Sequence, residues 1–532
     1  MNSMNISSAY GNARIPNEKQ RNNQMHSWLR NNTAYVILAI IILYTIIYSL
    51  LSSPGPSHLG DDIAYSFLAY QAVHGTFSQT LSFILSIRIL QIYPIAFFYA
   101  LFGGSALSSA AWDITCFSLS VLFAFLIGKE LYDEYTGIIA AFLLAVFPLV
   151  AVYSVTMSDN IPMMFFVSLS AYSLLRAIKT SSRKWWLAAG ATLVFPALVI
   201  PEGFIFWIIV ALFLILELIR KKISINRITL HYIYGFIIIL VALFLFNYIN
   251  SGNPFITFTA NMQYYGQTNR PDLTPLPINK ALSFYPKIMF PYGAINTTPG
   301  LYFYVFIPAA IYLIFKKNRA SYFLFFWFFA GLLYLEFGPQ HMGINPFVYV
   351  LTHRLDRYLT LIATPSVILI AAAIVMSIRT SRIQAKYIAI SISSITILLL
   401  VFTSFGITNR INTMSVAERF SQISAANYLD KLPNNTKIYL DSELGDVAVY
   451  MNFNNLSRFY FDYDGIQNCH NIPSESYVLI SRYVMDNNFD YTPNPLIECP
   501  SWQLVLSPQL TSFNQSTIDA SLPFITNLYH VP

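Results

Sequence analysis

The sequence predicts a polytopic α-helical membrane protein of about eleven transmembrane helices with a small α/β domain at its C-terminal end. Three observations lead there. Of 532 residues, 55% are hydrophobic and only 11% charged, where a soluble domain carries about a quarter charged residues. Apolar segments of span length follow one another from residue 34 to about residue 406, and basic residues collect in every second connection. Beyond residue 407 Asn, Asp, Ser and Pro become frequent and no further span-length apolar run occurs.

Residues 1–33 form a polar, Asn-rich tail, too long and too weakly basic for the head of a cleaved signal, and no small-residue cleavage site follows the first apolar run. Ala34 to Leu51 therefore reads as a signal anchor. The later spans are expected near 106–127, 137–157, 160–178, 185–200, 203–219, 230–249, 299–315, 320–336, 357–377 and 386–406, each long enough for a hydrocarbon core of about 30 Å.

Alternate connections hold Arg176, Lys179, Arg183 and Lys184, then Arg220, Lys221, Lys222 and Arg227, then Lys316, Lys317 and Arg319, then Arg379, Arg382 and Lys386. These loops are predicted to be cytoplasmic, which puts the N-terminus inside and the C-terminus outside, in the cell membrane. The net charge of +6 is thereby spent on topology, and no nucleic-acid partner is expected. With Phe 43, Tyr 36 and Trp 7 there is aromatic material both for interfacial belts and for the walls of a sugar or lipid site.

Two loops on the outer side are long, 52–105 and 251–298, and loops of that length tend to be functional. Within the first, Leu81 to Phe102 is apolar but carries Arg88 and Pro94, which suits short helices lying along the interface or a re-entrant pair. Residues 407–532 read as an extracytoplasmic α/β domain, with an amphipathic helix over Ser415 to Leu432 and strands over Lys437 to Leu440, Ser457 to Phe461, Tyr477 to Ile480 and Gln503 to Leu506. Cys469 and Cys499 lie there, where a disulfide or free thiols are the open alternatives; with His470 they supply too few ligands for tetrahedral zinc. Sequons starting at Asn296, Asn434, Asn455 and Asn514 permit glycosylation without implying it.

Acidic groups at the membrane rim are costly and therefore informative. Asp61 and Asp62, in Gly60-Asp61-Asp62-Ile63-Ala64-Tyr65, stand just beyond the first span, where a lipid headgroup and a polar acceptor can meet. A transferase that moves a sugar off a lipid phosphate needs a carboxylate to take the acceptor proton, and adjacent carboxylates can divide the work of orienting and abstracting. A solvated acidic turn or helix cap is the plainer reading. Asp159, ahead of Pro162, fits either an N-cap or a share in the same cavity. Glu202 and Glu336 occupy equivalent helix ends, and Asp113 is an expensive charge inside the second span. Leaving-group phosphate needs cations, for which Arg88, Lys287, Arg354 and Arg357 are available, or a metal; ordinary headgroup attraction is their other role. No Walker A loop, His-Glu-x-x-His or Gly-x-Ser-x-Gly is present, and the halves do not read as an inverted repeat, which counts against ATP coupling, serine hydrolysis and secondary transport.

In order and topology these features resemble the GT-C superfamily of membrane glycosyltransferases, in particular the dolichyl-phosphate-mannose protein mannosyltransferases and the aminoarabinose transferases of lipid A. The resemblance rests on Asp61-Asp62-x-x-Tyr65, Arg88 and Pro94, Leu101-Phe102-Gly103, Asp159, Pro201-Glu202-Gly203, Gly252-Asn253-Pro254, Tyr334-Leu335-Glu336-Phe337-Gly338 and Arg357-Tyr358, across residues 34 to 377. It implies a GT-C-like transmembrane domain over 34–406 and inverting transfer from a polyprenyl (dolichyl) phosphate sugar to a protein, glycan or lipid acceptor on the outer face. It also implies a first-loop Asp as base, with Asp159 in the same cavity and Tyr65, Arg88, Glu202, Glu336, Arg354 and Arg357 as substrate-binding candidates. The family's acidic pair is often Asp-Glu; alignment on Tyr65 favours Asp61. Trp185-Trp186 is followed by Leu187, so the Trp-Trp-Asp of oligosaccharyltransferase catalytic subunits is absent and en bloc oligosaccharide transfer is not expected. No cofactor is required by these residues, although a divalent cation on Asp61, Asp62 and Asp159 is an open alternative. A lipid-linked-sugar flippase and a non-catalytic assembly protein are the rival classes.

Overall fold

A computed structural model describes residues 18–52, 54–56, 61–81, 83–221, 223, 229–265, 284–290, 298–318, 320–338, 355–440, 446–454, 456–461, 472–481, 501–506 and 526–532. The helices are α1 (Glu18–Leu51), α2 (Asp61–Val73), α3 (Ile89–Phe102), α4 (Ala106–Leu131), α5 (Glu134–Ala145), α6 (Pro148–Tyr153), α7 (Asn160–Thr180), α8 (Arg183–Val199), α9 (Phe204–Ile219) and α10 (Leu230–Ser251). They continue as α11 (Ile256–Tyr265), α12 (Phe284–Met289), α13 (Tyr302–Phe315), α14 (Ser321–Phe337), α15 (Thr360–Thr380), α16 (Ile383–Leu429) and α17 (Asp446–Tyr450). Among the described residues, seven helical segments are long and apolar enough to cross a membrane: Asn32–Leu51, Ala106–Leu131, Asn160–Thr180, Pro201–Ile219, Leu230–Ser251, Asp356–Thr380 and Ala385–Thr413. Four shorter apolar helices, α3, α5, α13 and α14, join them. This is an integral membrane protein.

At the centre stands α15, buried from Thr360 to Val375 on every face, while α10 and α16 turn long rows of Ile, Leu and Phe outward. In lipid such rows are in their solvent, so it is the enclosed α15 that marks the bundle core. Two basic connections pair with acids at one end of the bundle: Arg176 and Lys179 with Glu130, and Arg379 with Asp133.

The span expected over 137–157 is interrupted. Pro148 has no amide hydrogen to donate and forces Phe147 into extended backbone, so α5 stops at Ala145 and α6 is a separate short helix. The first long loop is helical, as α2 and α3 joined by a 3₁₀ turn at Ile84–Ile87. The composition change at 407 is not a structural break: α16 runs unbroken for 47 residues, roughly 70 Å at 1.5 Å per residue. The amphipathic stretch expected to start at Ser415 is its distal part.

The end of α16 lies against a five-stranded sheet in the order β2-β1-β3-β5-β4, from β1 (Ile438–Leu440), β2 (Phe459–Phe461), β3 (Ser476–Ser481), β4 (Gln503–Leu506) and β5 (Thr526–Val531). β1 pairs in parallel with β2 and β3, whereas β5 is antiparallel to β3 and β4. β5, with no expectation from the sequence, joins β4 to β3. Arg458 donates to the Leu429 carbonyl at 2.6 Å and closes the C-terminus of α16.

Helices α8 and α10 meet at two glycines. A Cβ on Gly190 would lie 1.8 Å from the Tyr232 carbonyl oxygen, and one on Gly235 2.0 Å from that of Leu187. Small residues permit such backbone approach in membranes. Gly190→Ala and Gly235→Ala are each expected to destabilise the protein by about 1–3 kcal/mol, with the double variant costing less than the two combined because one displaced contact relieves both. Thermal melting of the detergent-extracted protein measures this, and unchanged melting would contradict the close approach.

Candidate active site

Asp61 and Asp62 open α2, where two carboxylates complement the exposed amides and positive end of the helix. They are not equivalent. Asp62 is 2% exposed and its Oδ1 accepts the Ile63 amide at 3.0 Å, whereas the Asp61 side chain is 35% exposed and faces Arg357, whose Nη2 donates to Asp61 Oδ2 at 3.3 Å. Arg357 stands on a 3₁₀ turn, Asp356–Leu359, at the head of α15. The neighbouring Asp356 anchors this turn by accepting from Tyr153 at 2.6 Å and from Thr298.

One turn into α2, Tyr65 is fully buried and donates to Asp159 Oδ2 at 2.8 Å. Arg88, between the 3₁₀ turn and α3, donates to the same Asp159 oxygen and to the Tyr65 oxygen. Asn160 donates to Asp159 Oδ1 at 2.9 Å. Burial pushes the Tyr65 phenol well above its usual range against the opposing pull of Arg88, which keeps it a neutral donor to Asp159. Asp159 reaches this position because the chain reverses at Met157, whose φ of 56° is left-handed and costs a non-glycine residue roughly 1–2 kcal/mol. α2, the 156–159 turn and Arg357 bound a narrow crevice, and Asp61, Asp62 and Asp159 all line it.

Glu202, on a 3₁₀ turn at Pro201–Gly203, is buried within electrostatic reach of Arg88, Asp159 and Arg357; its Oε2 has no hydrogen-bond partner among the described residues. That turn sits tight on α8, since a Cβ on Gly203 would fall 2.3 Å from the Pro196 carbonyl. Asp113, fully buried on α4, accepts from Gln91 at 3.2 Å and lies in the field of Asp159 and Asp62. Glu336 accepts the Tyr285 amide at 3.2 Å and so holds α12 to the end of α14, away from the crevice lining. Lys287 is on α12, and Arg354, Cys469 and Cys499 lie outside the described residues.

Three partners of the site carried no signal in the sequence. Asn160 reads as a helix-start residue, Gln91 as one polar residue in an apolar run, and Asp356 as half of an Asp-Arg pair; only the fold makes them supports of Asp159, Asp113 and Arg357.

Among the described residues, no group of three Asp, Glu, His or Cys side chains is arranged to hold a metal ion. The Asp159 carboxylate accepts from Tyr65, Arg88 and Asn160, and that of Asp61 from Arg357. A guanidinium stands on each of these two carboxylates.

This fold, a helical bundle with two helices of the first loop folded over a carboxylate and arginine cluster, is similar as a whole to those of solved membrane transferases. ArnT from Cupriavidus metallidurans bound to undecaprenyl phosphate superimposes with a TM-score of 0.60 at 10% identity, covering 93% of this chain and 97% of that one. The archaeal oligosaccharyltransferase AglB from Archaeoglobus fulgidus, in complex with an inhibitory peptide and a dolichol-phosphate, gives 0.55 at 13% identity over 86% and 70%. Residues 89–246 match the dolichyl-phosphate-mannose-protein mannosyltransferase family, so this part of the chain is related to those enzymes. No curated protein matches the chain by sequence.

Proposed function

We propose that the protein transfers a sugar from a polyprenyl-phosphate donor to a hydroxyl acceptor, with Asp61 as general base, on the extracytoplasmic face of the membrane. The observation that carries this reading is the state of Asp61: a third of its side chain is open, it borders the crevice, and its partner is an arginine that a phosphate can take from it. Asp62, enclosed and tied to its own helix, orients that turn. That ArnT is bound to undecaprenyl phosphate and AglB to a dolichol-phosphate supports a donor of the same class.

In the reaction, the acceptor oxygen attacks the anomeric carbon in line with the departing phosphate, its proton passes to Asp61, and the bond from sugar to phosphate breaks to release the polyprenyl phosphate. The developing charge on that phosphate falls to Arg357 and to Arg88, which Asp159 and Tyr65 hold in place. Inversion follows from the single displacement. With guanidinium groups on Asp61 and Asp159, the arginines take the role of a divalent cation. Dialysis against chelator is accordingly expected to leave turnover unchanged, and restoration of a lost rate by added Mg²⁺ or Mn²⁺ would refute this part. The test of the whole is a transfer assay with labelled polyprenyl-phosphate sugars on purified Asp61→Asn and Asp62→Asn variants; wild-type rates in both would end it.

A further inference from the structure

Helix α2 has only 13 residues, too few to be stable by itself in water, so something must seat it. Part of the seat is α3, and part comes from the far end of the chain. After α17 the backbone turns through two successive left-handed residues, Asn452 with φ 52° and Phe453 with φ 55°, held by bonds from Asn452 N to Val449 O at 3.0 Å and Phe453 N to Ala448 O at 2.9 Å. Side chains other than glycine rarely adopt this conformation, and its effect is to throw the Phe453 ring out of the sheet region. Val447 and Met451 remain in the core beneath the sheet, whereas Val449 and Phe453 belong to the apolar cluster of α2 and α3.

There Phe453 is 3% exposed. Its ring stacks on Tyr70 with centroids 4.5 Å apart, meets Phe67 edge-on at 5.5 Å and Tyr99 at 5.7 Å. Space for it depends on Gly104, where a Cβ would come within 2.7 Å of the ring. Two further contacts from the same part of the chain hold the segment that enters α2: Tyr450 donates to the Pro56 carbonyl at 3.3 Å and Arg419 to that of Gly55 at 3.1 Å.

We propose that Phe453 is a positioning residue for the transfer reaction: by seating α2 it sets where Asp61 and Asp62 stand, so the C-terminal region governs turnover without touching substrate. This rests on the reading of Asp61 as base. Phe67 and Tyr70 lie six and nine residues beyond Asp61 on one helix, about 9–14 Å away at 1.5 Å per residue. A short rigid helix carries a tilt at one end to the other. The contacts it would upset are those of Asp61 with Arg357 at 3.3 Å and of Tyr65 with Asp159 at 2.8 Å.

The test uses the full-length protein with Phe453→Ala, Phe453→Leu and Gly104→Leu, the last displacing the ring from the side of the α3–α4 connection. Hydrogen exchange over residues 61–73 is followed beside kcat and donor KM. Faster exchange confined to α2, a fall in kcat of about 10²-fold with little change in KM, the same in Gly104→Leu, and substantial recovery in Phe453→Leu are expected. Unchanged kcat in Phe453→Ala, unchanged exchange in α2, or an equal gain of exchange in α4 and α15 would each overturn the proposal. Asp61→Asn and Asp62→Asn separate the two failures. If they lose activity while Phe453→Ala keeps it, the seat is wrong and the base stands. If they keep it, the base reading fails, and exchange with kcat in Phe453→Ala still decides whether the seat governs turnover.

Discussion

Replacing Asp61 by asparagine is expected to slow glycosyl transfer by about 10²–10⁴-fold, the usual range for losing a positioned general base. Asparagine keeps the shape but cannot take the acceptor proton. It also leaves Arg357 without its carboxylate partner, so donor binding should hold or tighten while the chemical step fails. Asp62→Asn is expected to cost less in rate, because the Asp62 carboxylate is enclosed and accepts the amide of Ile63 beside it. Single-turnover transfer, with donor binding measured separately, resolves the two. A wild-type chemical rate in Asp61→Asn together with an inactive Asp62→Asn would exchange their roles.

Arg88→Ala is expected to lower stability by about 3–5 kcal/mol, since it leaves Asp159 charged and buried with its cation gone. Asp159→Asn should cost a comparable amount for the converse reason. Arg88 is 7% exposed and Asp159 1%, so solvent screens neither charge. Replacing both residues together by Met and Leu should recover much of the stability, as apolar substitutes for buried ion pairs do. It should not recover full transfer, because Arg357 is then the one guanidinium of the two left to meet the phosphate. Thermal unfolding in detergent and the transfer assay, run on the same four proteins, separate these effects; recovery of activity in the double variant would show that the pair is only structural.

Asp61, Asp62, Tyr65, Arg88, Asp159, Glu202 and Arg357 stood out because charge and strong polarity at the rim of a membrane are expensive, and residues that expensive are retained for a purpose. Their supports did not stand out. Asn160, Gln91 and Asp356 are ordinary at their positions, and Phe453 is one of 43 phenylalanines. Glu336, singled out on the same grounds as Glu202, holds α12 to the end of α14. The same limit applies to the fold. Pro148 gave a local reason for the break between α5 and α6, yet apolar residues on both sides concealed it. At residue 407 composition changes while the helix does not, because helix continuity follows backbone hydrogen bonding and hydropathy follows only the solvent outside.

By itself the sequence determined that this chain lives in lipid, how its apolar segments and basic connections alternate, and which few charges stand at the rim. Each of these follows from the transfer free energy of a residue and its near neighbours, which is a local quantity. Only the tertiary structure decided that Asp61, Asp159 and Arg357, spread over some 300 residues, share one crevice with Arg88 paired to Asp159, and that the C-terminal end of the chain closes over the helix bearing the first of them. Such convergence depends on how helices cross and on where a turn sends a side chain, and no window of the sequence contains both partners.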